Sequence, residues 1–303
     1  MRVGSLFSGY GGLDMAVGGE LAWYSEIEPA ACRVMEAHHP GVPNIGDVTR
    51  VDWSEVEPVD VLTGGYPCQP FSSAGQRKGE QDERHLWPHV RDAISALGPR
   101  LTILENVRGH LTLGFADVLV DLADLGLSAR WGVVRASDAG APHGRARLFI
   151  IAYAESAEWR KQKSNYLDSG EWSAELGKRF GGRGDQTAKD LGYTHGSDEP
   201  PKQTRDRQRG QSKRTRGHDF KRDQTWGVYE PAIHRWERII GRVAPTPTIE
   251  GNKRDKLNPV FVEWMMGLPE GWVTGHGLSA SQELKMLGNG VVPQQARLAL
   301  ELL

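Results

Sequence analysis

The first half of the chain alternates short apolar runs with segments of helical period. The apolar runs predict strands at Val3–Phe7, Leu21–Ile27, Val59–Thr63, Leu101–Glu105, Ser128–Val134 and Arg147–Tyr153. The helical periods predict helices from about Leu13 and at Pro29–His38, His85–Leu97 and Phe115–Leu125. Strands that are separated by helices indicate βαβ units, and hence an α/β fold whose sheet is covered by helices on both faces.

The pattern changes after Ala154. From about residue 155 to residue 222 no strong period is visible, and Gly, Gln, Lys, Arg and Asp dominate. Between Lys202 and Arg222 nine basic side chains stand against two acidic ones, a net charge of +7, whereas the whole chain carries −2. Composition alone favours a solvated insertion, and the alternative is a segment that touches nucleic-acid phosphates. Regular patterns return as predicted helices at Trp226–Ile240 and Leu257–Met266, and as a final turn plus helix at Ser281–Leu302.

The bulk composition narrows the class of protein. The length of 303 residues suits one large domain or a medium domain with a smaller one. The two cysteines, Cys32 and Cys68, cannot form a disulfide framework, and the absence of a Cys/His cluster with zinc spacing predicts no metal site. No basic-then-apolar leader opens the sequence, and no apolar run reaches about 18 residues. These features predict a cytoplasmic protein without a membrane partner.

Candidate cofactor chemistry lies where the predicted strands end. The first strand runs into a turn with Gly9, Gly11 and Gly12, and Glu26 follows the second strand. Nucleotide-binding sheets hold ribose hydroxyls with a carboxylate at that place, so an adenosine-containing cofactor is predicted at the carboxyl ends of the strands. A purely structural turn and a surface acid are the alternatives. The turn lacks the GxGxxG spacing, which argues against a dinucleotide dehydrogenase.

Candidate catalytic groups lie on the same edge of the predicted sheet. Cys68 follows the third strand in the loop GGYPCQPFSSAG, whose glycines and prolines argue against a core position. Glu105 ends the next strand, and Arg145 and Arg147 share one face of a later strand because strand side chains alternate. A nucleophilic sulfur, a carboxyl group and a guanidinium on one edge form a catalytic constellation, although each of them alone is commonly structural.

Five motifs, in this order, resemble the C5-cytosine DNA methyltransferase family. They are FxGxGG at Phe7, Gly9, Gly11 and Gly12; PCQ at Pro67, Cys68 and Gln69; ENV at Glu105, Asn106 and Val107; RxR at Arg145 and Arg147; and LGNGVVP at Leu287–Pro293. The chain departs from the family at His143, where Gln is usual, and at Gly290, where Ser is common. The resemblance implies a Rossmann-like S-adenosylmethionine-dependent methyltransferase domain at 1–154 and 275–303, with a smaller target-recognition domain at 155–274.

The resemblance also implies an activity. A methyl group would pass from S-adenosyl-L-methionine to C5 of a cytosine flipped out of double-stranded DNA. Cys68 would add to C6, and Glu105 would bind the N3/N4 edge of the base. Arg147, with Arg145 beside it, would contact the O2 side, and residues 72–91 would form a loop that closes over the base.

The same resemblance implies a cofactor pocket. Phe7 would pack on the cofactor, and the turn from Gly9 through Gly11 and Gly12 would approach its methionine end. Glu26 would hold the ribose hydroxyls, Asp47 would accept from the adenine amino group, and Ile27 would lie against the adenine ring. Pro67, Asn289 and Val291 would complete the pocket.

Two alternative functions stay open at this point. A related branch of the family acts on cytosine in tRNA, but it usually lacks a long recognition segment, so the basic insert favours DNA. A non-catalytic DNA-binding module is disfavoured because Cys68, Glu105 and Arg147 are all present. A monomer is sufficient for action on a single flipped base, and neither the target sequence nor a partner restriction endonuclease can be read from the chain.

Overall fold

The computed structural model of the chain describes residues 1–67, 86–154, 226–251 and 254–303. Three predicted features lie outside the described residues: Cys68, most of the predicted closing loop, and residues 155–222, which include the basic segment Lys202–Arg222. The predictions for them therefore stay predictions. Within the described part, no helix is long and apolar enough to cross a membrane.

The main sheet has six strands, and a separate hairpin-like pair has two. The strands are β1 Arg2–Leu6, β2 Glu20–Ser25, β3 Val61–Gly64, β4 Leu101–Val107, β5 Leu127–Arg135 and β6 Ala146–Ala154, with the pair β7 Thr248–Ile249 and β8 Lys256–Leu257. The helices are α1 Gly12–Val17, α2 Pro29–His38, α3 Trp87–Leu97, α4 Phe115–Asp124, α5 Glu230–Ile240, α6 Pro259–Met265, α7 Ala280–Asn289 and α8 Pro293–Leu302. Short 3-10 turns lie at Arg108–Thr112, Ala136–Ala139 and Gly227–Tyr229.

Most predicted elements are present within a few residues of their predicted bounds. The exception is Ser281–Leu302, where the prediction of a turn plus one helix is wrong, because two helices of ten residues each occupy this stretch. Ser279 begins α7 through a capping box with Gln282, and Pro293 occupies the first turn of α8. The turn between them is confined to the residues just after Asn289.

The strand order β2-β1-β3-β4-β6-β5 brings several strand ends to one edge. Strands β1 to β4 are parallel, and β6 runs antiparallel to its neighbours β4 and β5. Leu6 pairs with Gly64, and Gly64 pairs with Leu104, so β1, β3 and β4 reach the carboxyl edge together. Side chains that follow these strands therefore meet at a common edge.

Alternate strand residues enter different hydrophobic clusters on the two faces of the sheet. Leu62 and Leu104 pack in the cluster that contains α3 and α4, whereas Val61 and Ile103 pack in the cluster that contains α1 and α8. Burial on both faces explains why these strands appear in the sequence as continuous apolar runs rather than as an alternation. The predicted α/β fold with helices on both faces is confirmed.

A further hydrophobic cluster joins the C-terminal part of the chain to the glycine turn. Trp236 of α5 and Trp264 of α6 are fully buried, and the indole nitrogen of Trp236 donates a hydrogen bond to the Trp264 carbonyl at 2.9 Å. The same cluster contains Tyr10 and Met286. Residues 226–251 and 254–274 thus pack against the part of the chain that forms the sheet edge.

Candidate active site and cofactor pocket

The turn after β1 has a constrained backbone. Phe7 has φ of 52°, the single positive φ of a non-glycine residue among those the structure describes, and such a conformation costs about 1–3 kcal/mol. Gly9 and Gly11 also have positive φ, 56° and 77°. A Cβ on Gly12 would lie 2.4 Å from the Val291 carbonyl oxygen, so only glycine allows this approach of the C-terminal segment.

A cavity of about 280 Å³ lies between this turn, the ends of β1, β3 and β4, and the helix α7. Its volume is close to the lower end of small-molecule sites, roughly 300 Å³. Of the predicted site residues, the cavity is lined by Phe7, Gly9, Gly12, Glu26, Glu105, Asn289 and Val291. Predicted site residues from both ends of the chain therefore line one cavity.

Glu26 ties the glycine turn to the end of β2. Its Oε2 accepts a hydrogen bond from the Gly9 amide at 2.8 Å, and its Oε1 accepts from the amides of Ile27 and Glu28, each at 2.8 Å. Backbone donors of this kind hold an ionised carboxylate in a fixed orientation. Glu26 thus presents an oriented acceptor at the wall of the cavity.

Several predicted cofactor residues do not line the cavity. The side chain of Ile27 is 67% exposed. Asp47 accepts hydrogen bonds from the amide and the hydroxyl of Thr49 at 3.0 and 2.8 Å, and these bonds lower its pKa. Pro67 is exposed, and it is the last described residue before Cys68. Their roles in cofactor binding stay predictions.

Glu105 and Arg147 form a buried ion pair at the carboxyl edge. The Arg147 Nε lies 2.8 Å from Oε1 of Glu105, and the β4–β6 register makes the two residues diagonal neighbours on one face. Burial raises the pKa of Glu105 to about 7, although Arg147 and Arg145 act in the opposite direction. A carboxyl group with this pKa exchanges a proton near neutral pH.

Arg145 is directed to the C-terminal segment. Its guanidinium donates to the carbonyl oxygens of Gly288 and Gly290, both at 2.7 Å, and burial lowers its pKa. Tyr10 supports the same segment, because its hydroxyl donates to the Val291 carbonyl at 2.7 Å. Arg145 therefore fixes the wall of the cavity, while Arg147 contacts Glu105.

The comparison with known families decides the relationship. A family profile described as C-5 cytosine-specific DNA methylase matches residues 1–301. The chain belongs to the C-5 cytosine-specific DNA methylase family. The predicted resemblance is thereby confirmed.

Curated relatives of the chain are methyltransferases, and a solved structure shares its fold. The Type II methyltransferase M.NgoMIV of Neisseria gonorrhoeae is 34% identical over 171 residues, which are 52% of this chain and 54% of that protein. The Type II methyltransferase M.NlaIV of Neisseria lactamica is 33% identical over 172 residues, 50% of this chain and 41% of that protein. The chain thus spans about half the length of the curated relatives it matches. The Dnmt2 methyltransferase of S. pombe shares the fold, with a TM-score of 0.61 at 17% identity over 100% of this chain and 98% of that chain.

The two departures from the family motifs have local explanations in this methylase-family chain. His143 lies 3.0 Å from the Met265 carbonyl through Nε2, and since a carbonyl only accepts, that nitrogen carries the proton. Its pKa is lowered by burial. A Cβ on Gly290 would lie 1.9 Å from Cε1 of Tyr10, so the serine of other family members has no room.

Sequence reasoning missed residues of this family member that line or support the cavity. They include Asp14 and Thr63 in the cavity wall, and Trp272, whose indole nitrogen donates to the Tyr10 carbonyl at 2.8 Å. Asp14 offered a signal, because it is the one charged residue in the otherwise apolar stretch Gly12–Val17. Trp272 offered none, since its partner lies 262 positions away.

Proposed function

We propose that the chain is a DNA (cytosine-5-)-methyltransferase that modifies a cytosine flipped out of a specific duplex sequence. One observation carries the proposal. The buried Glu105–Arg147 pair lies at the carboxyl edge of the sheet, and Glu105 lines the same cavity as the FxGxGG turn, in a chain of this family. This arrangement provides a proton donor and a fixed cation beside a pocket of small-molecule size.

Glu105 and Arg147 suit the activation of a pyrimidine ring. Because its pKa is about 7, Glu105 can hold a proton at neutral pH and donate it toward N3 of the base. Arg147 holds the carboxyl group in place and would contact the O2 side. A thiolate of Cys68 would bond to C6, and the charge that enters the ring would be stabilised at N3 by Glu105. C5 would then take the methyl group, a base would remove the C5 proton, and the thiolate would leave C6.

Chain connectivity supports a shared site for Cys68 and Glu105. A Cβ on Gly65 would lie 3.6 Å from Oε2 of Glu105, so Gly65 is a direct neighbour of the carboxyl group. Cys68 follows Gly65 by three residues, and three residues of chain span at most about 10 Å. The catalytic sulfur that we propose is therefore tethered close to the ion pair.

The residues around the cavity fit S-adenosyl-L-methionine, which supplies the methyl group when it is bound. The oriented carboxylate of Glu26 suits ribose hydroxyls, and Leu6, Leu13 and Met286 contribute apolar wall. We assign cofactor binding to Phe7, Gly9, Gly11, Gly12, Glu26, Ile27, Asp47, Pro67, Asn289 and Val291. Among these, the assignment of Gly11, Ile27, Asp47 and Pro67 rests on the motif resemblance alone.

Double-stranded DNA is the proposed partner. We assign residues 1–154 and 275–303 to the catalytic domain and residues 155–274 to target recognition, where the charge of +7 at Lys202–Arg222 supports phosphate contacts. We propose that the enzyme acts as a monomer in the cytoplasm. The Type II names of the relatives support a role beside a cognate restriction endonuclease.

Methyl transfer tests the proposal directly. The chain is incubated with methyl-labelled S-adenosyl-L-methionine and either mixed-sequence duplex DNA or tRNA. We expect label in DNA, no label with Cys68→Ala, and retained DNA binding by that variant. Cys32→Ala is the matched control, because it removes the other cysteine of the chain and should retain transfer.

A trapping experiment examines the covalent step. Bisulfite sequencing of DNA from cells that express the chain identifies the target, and a duplex with 5-fluorocytosine at that site is then offered with the cofactor. We expect a protein–DNA adduct that survives denaturing electrophoresis and is absent for Cys68→Ala. Full activity of Cys68→Ala would contradict the mechanism. Label in tRNA but not in DNA in the transfer experiment would show that tRNA, not DNA, is the substrate.

A further inference from the structure

Asp14 is a carboxylate in the cavity wall to which the function proposed above gives no role. Its Oδ2 accepts a hydrogen bond from the Ser5 hydroxyl at 2.7 Å, and its Oδ1 accepts from the Thr63 hydroxyl. All three residues line the cavity, Ser5 from β1, Thr63 from β3 and Asp14 from α1. Burial raises the pKa of Asp14, although the two hydroxyl hydrogen bonds act in the opposite direction.

The other carboxylates of the cavity have compensating partners. Glu28 pairs with Lys285 at 3.0 Å, Glu105 pairs with Arg147 at 2.8 Å, and Glu26 accepts three backbone amides. Within the ranges that the structure describes, Asp14 forms no ion pair with Lys, Arg or His. Its hydrogen bonds come from neutral hydroxyls alone, and the lining therefore carries an excess of negative charge at this point.

Among the described residues, the contacts of Asp14 do not require its charge. An asparagine could also bond to both hydroxyls, because a hydroxyl both donates and accepts. A shielded carboxylate without a cation costs folding free energy that a neutral amide would not. Each carboxylate oxygen has a lone pair beyond the one that the hydroxyl uses, so an additional donor can bind there.

We propose that Asp14 binds the ammonium group at the amino-acid end of the cofactor and so determines specificity for an α-amino ligand. This inference rests on the proposed function, which places S-adenosyl-L-methionine in the cavity. Glu26, at the end of β2, suits the hydroxyl-rich end of such a molecule. Asp14 is hydrogen-bonded to Thr63 of β3, and β2 and β3 lie on opposite sides of β1. A charge-assisted hydrogen bond from an ammonium would compensate the shielded carboxylate.

Two ligands separate the ammonium from every other part of the cofactor. S-adenosylhomocysteine carries the ammonium but no sulfonium charge, and its deaminated analogue, which has a thiobutyrate chain, lacks the ammonium. Calorimetric Kd values of both are measured for the full chain and for Asp14→Asn. We expect Asp14→Asn to weaken S-adenosylhomocysteine about tenfold to a hundredfold and the deaminated analogue by less than about threefold.

Glu28→Gln is the matched control. It also removes one carboxylate from the cavity wall, so it measures how a general loss of negative charge changes the two affinities. For each variant, the loss of affinity for S-adenosylhomocysteine is divided by the loss for the deaminated analogue. This ratio must be about tenfold larger for Asp14→Asn than for Glu28→Gln. The urea midpoint of ligand-free Asp14→Asn is expected to equal or exceed that of the unaltered chain, since the charge costs stability. Asp14→Ser, which is neutral and smaller, replaces Asp14→Asn if the latter does not fold.

Several outcomes overturn the inference. Unchanged affinity for S-adenosylhomocysteine excludes a role in binding, and equal losses for both ligands show that Asp14 acts on the shape of the cavity rather than on the ammonium. A lowered urea midpoint in both Asp14→Asn and Asp14→Ser would show that the charge of Asp14 stabilises the fold rather than a bound ligand. If the unaltered chain binds neither S-adenosyl-L-methionine nor S-adenosylhomocysteine, the proposed function fails, which is distinguishable from a failure at Asp14.

Discussion

At the scale of single residues, burial of the Glu105 carboxylate destabilises the folded state when the group is ionised. Its ionised form is disfavoured by burial more strongly than Arg147 and Arg145 favour it, and its pKa is therefore about 7 instead of 4.5. The same burial that makes the carboxyl group a proton donor near neutral pH makes the folded state less stable when that proton leaves. Both properties fit the proton-donor role that is proposed for Glu105.

The raised pKa of Glu105 should make the free energy of unfolding depend on pH. Between about pH 4.5 and pH 7 folded Glu105 holds a proton that the unfolded chain has lost, so the free energy of unfolding falls as pH rises through this window. Glu105→Gln removes this contribution. The free energy of unfolding is measured with urea for the variant and for the unaltered chain. The difference, variant minus unaltered chain, should be higher at pH 8 than at pH 5 by up to about 3 kcal/mol. Glu36→Gln, at an exposed position, controls for the loss of a carboxylate, and an equal effect of Glu105→Gln at both pH values would contradict the account.

The packing of Tyr10 on Gly290 predicts a specific coupling. The backbone of Gly290, with φ of −76°, tolerates any residue, but a Cβ would overlap the Tyr10 ring. Gly290→Ser should destabilise the fold by about 1–3 kcal/mol through overpacking. In a background of Tyr10→Ala the same change should cost less by at least about 1 kcal/mol, measured as a double-mutant cycle of urea unfolding. Gly288→Ser, where a Cβ meets open space, is the control, and additive effects of the pair would disprove the coupling.

At the scale of elements, the segment between α6 and α7 is organised by one side chain. Glu263 is fully buried on α6, and its carboxylate accepts from the amides of Gly271, Val273 and Thr274 and from the Thr274 hydroxyl, at 2.6 to 3.0 Å. Four donors to one carboxylate fix the loop that carries Trp272 to the glycine turn.

Glu263→Gln should loosen this loop. An amide nitrogen would face a backbone N–H where an oxygen now accepts, which leaves a buried donor without a partner and costs about 2 to 4 kcal/mol. Urea unfolding measures the loss, and Glu270→Gln, an exposed acid in the same connection, is the control that should change little. A midpoint equal to that of the control would show that the loop does not depend on this carboxylate.

The elements could be predicted because their patterns are local. Strands that are buried on both faces appear as apolar runs, and Pro29 lies in the first turn of a predicted helix. The prediction at Ser281–Leu302 failed because Gly288 has a low helix propensity, yet it lies within α7, where burial of Met286 and Leu287 outweighs that propensity.

At the scale of the whole molecule, the pocket is built from both ends of the chain. Gly12 approaches the Val291 carbonyl, and the Gln295 side chain, fully buried on α8, donates to the carbonyls of Val134 and Arg145, each at 2.7 Å. No local period encodes such contacts. The family motifs predicted that residues from both ends of the chain share one pocket. They could not show that Arg145 supports the C-terminal segment, or that Asp14 forms no ion pair among the residues that the structure describes.

The basic segment should determine how DNA binding depends on salt. Neutralised phosphates release counterions, so affinity falls with log salt by a slope of about 0.9 for each phosphate contact. Replacing the nine basic residues of Lys202–Arg222 by glutamine should weaken duplex binding and make the slope shallower, as measured by fluorescence anisotropy over a salt series. A variant with the same residues in shuffled order keeps the charge of +7 and should keep the slope. If the glutamine variant retains both affinity and slope, the segment is a solvated insertion, and the phosphate contacts belong to another part of the molecule.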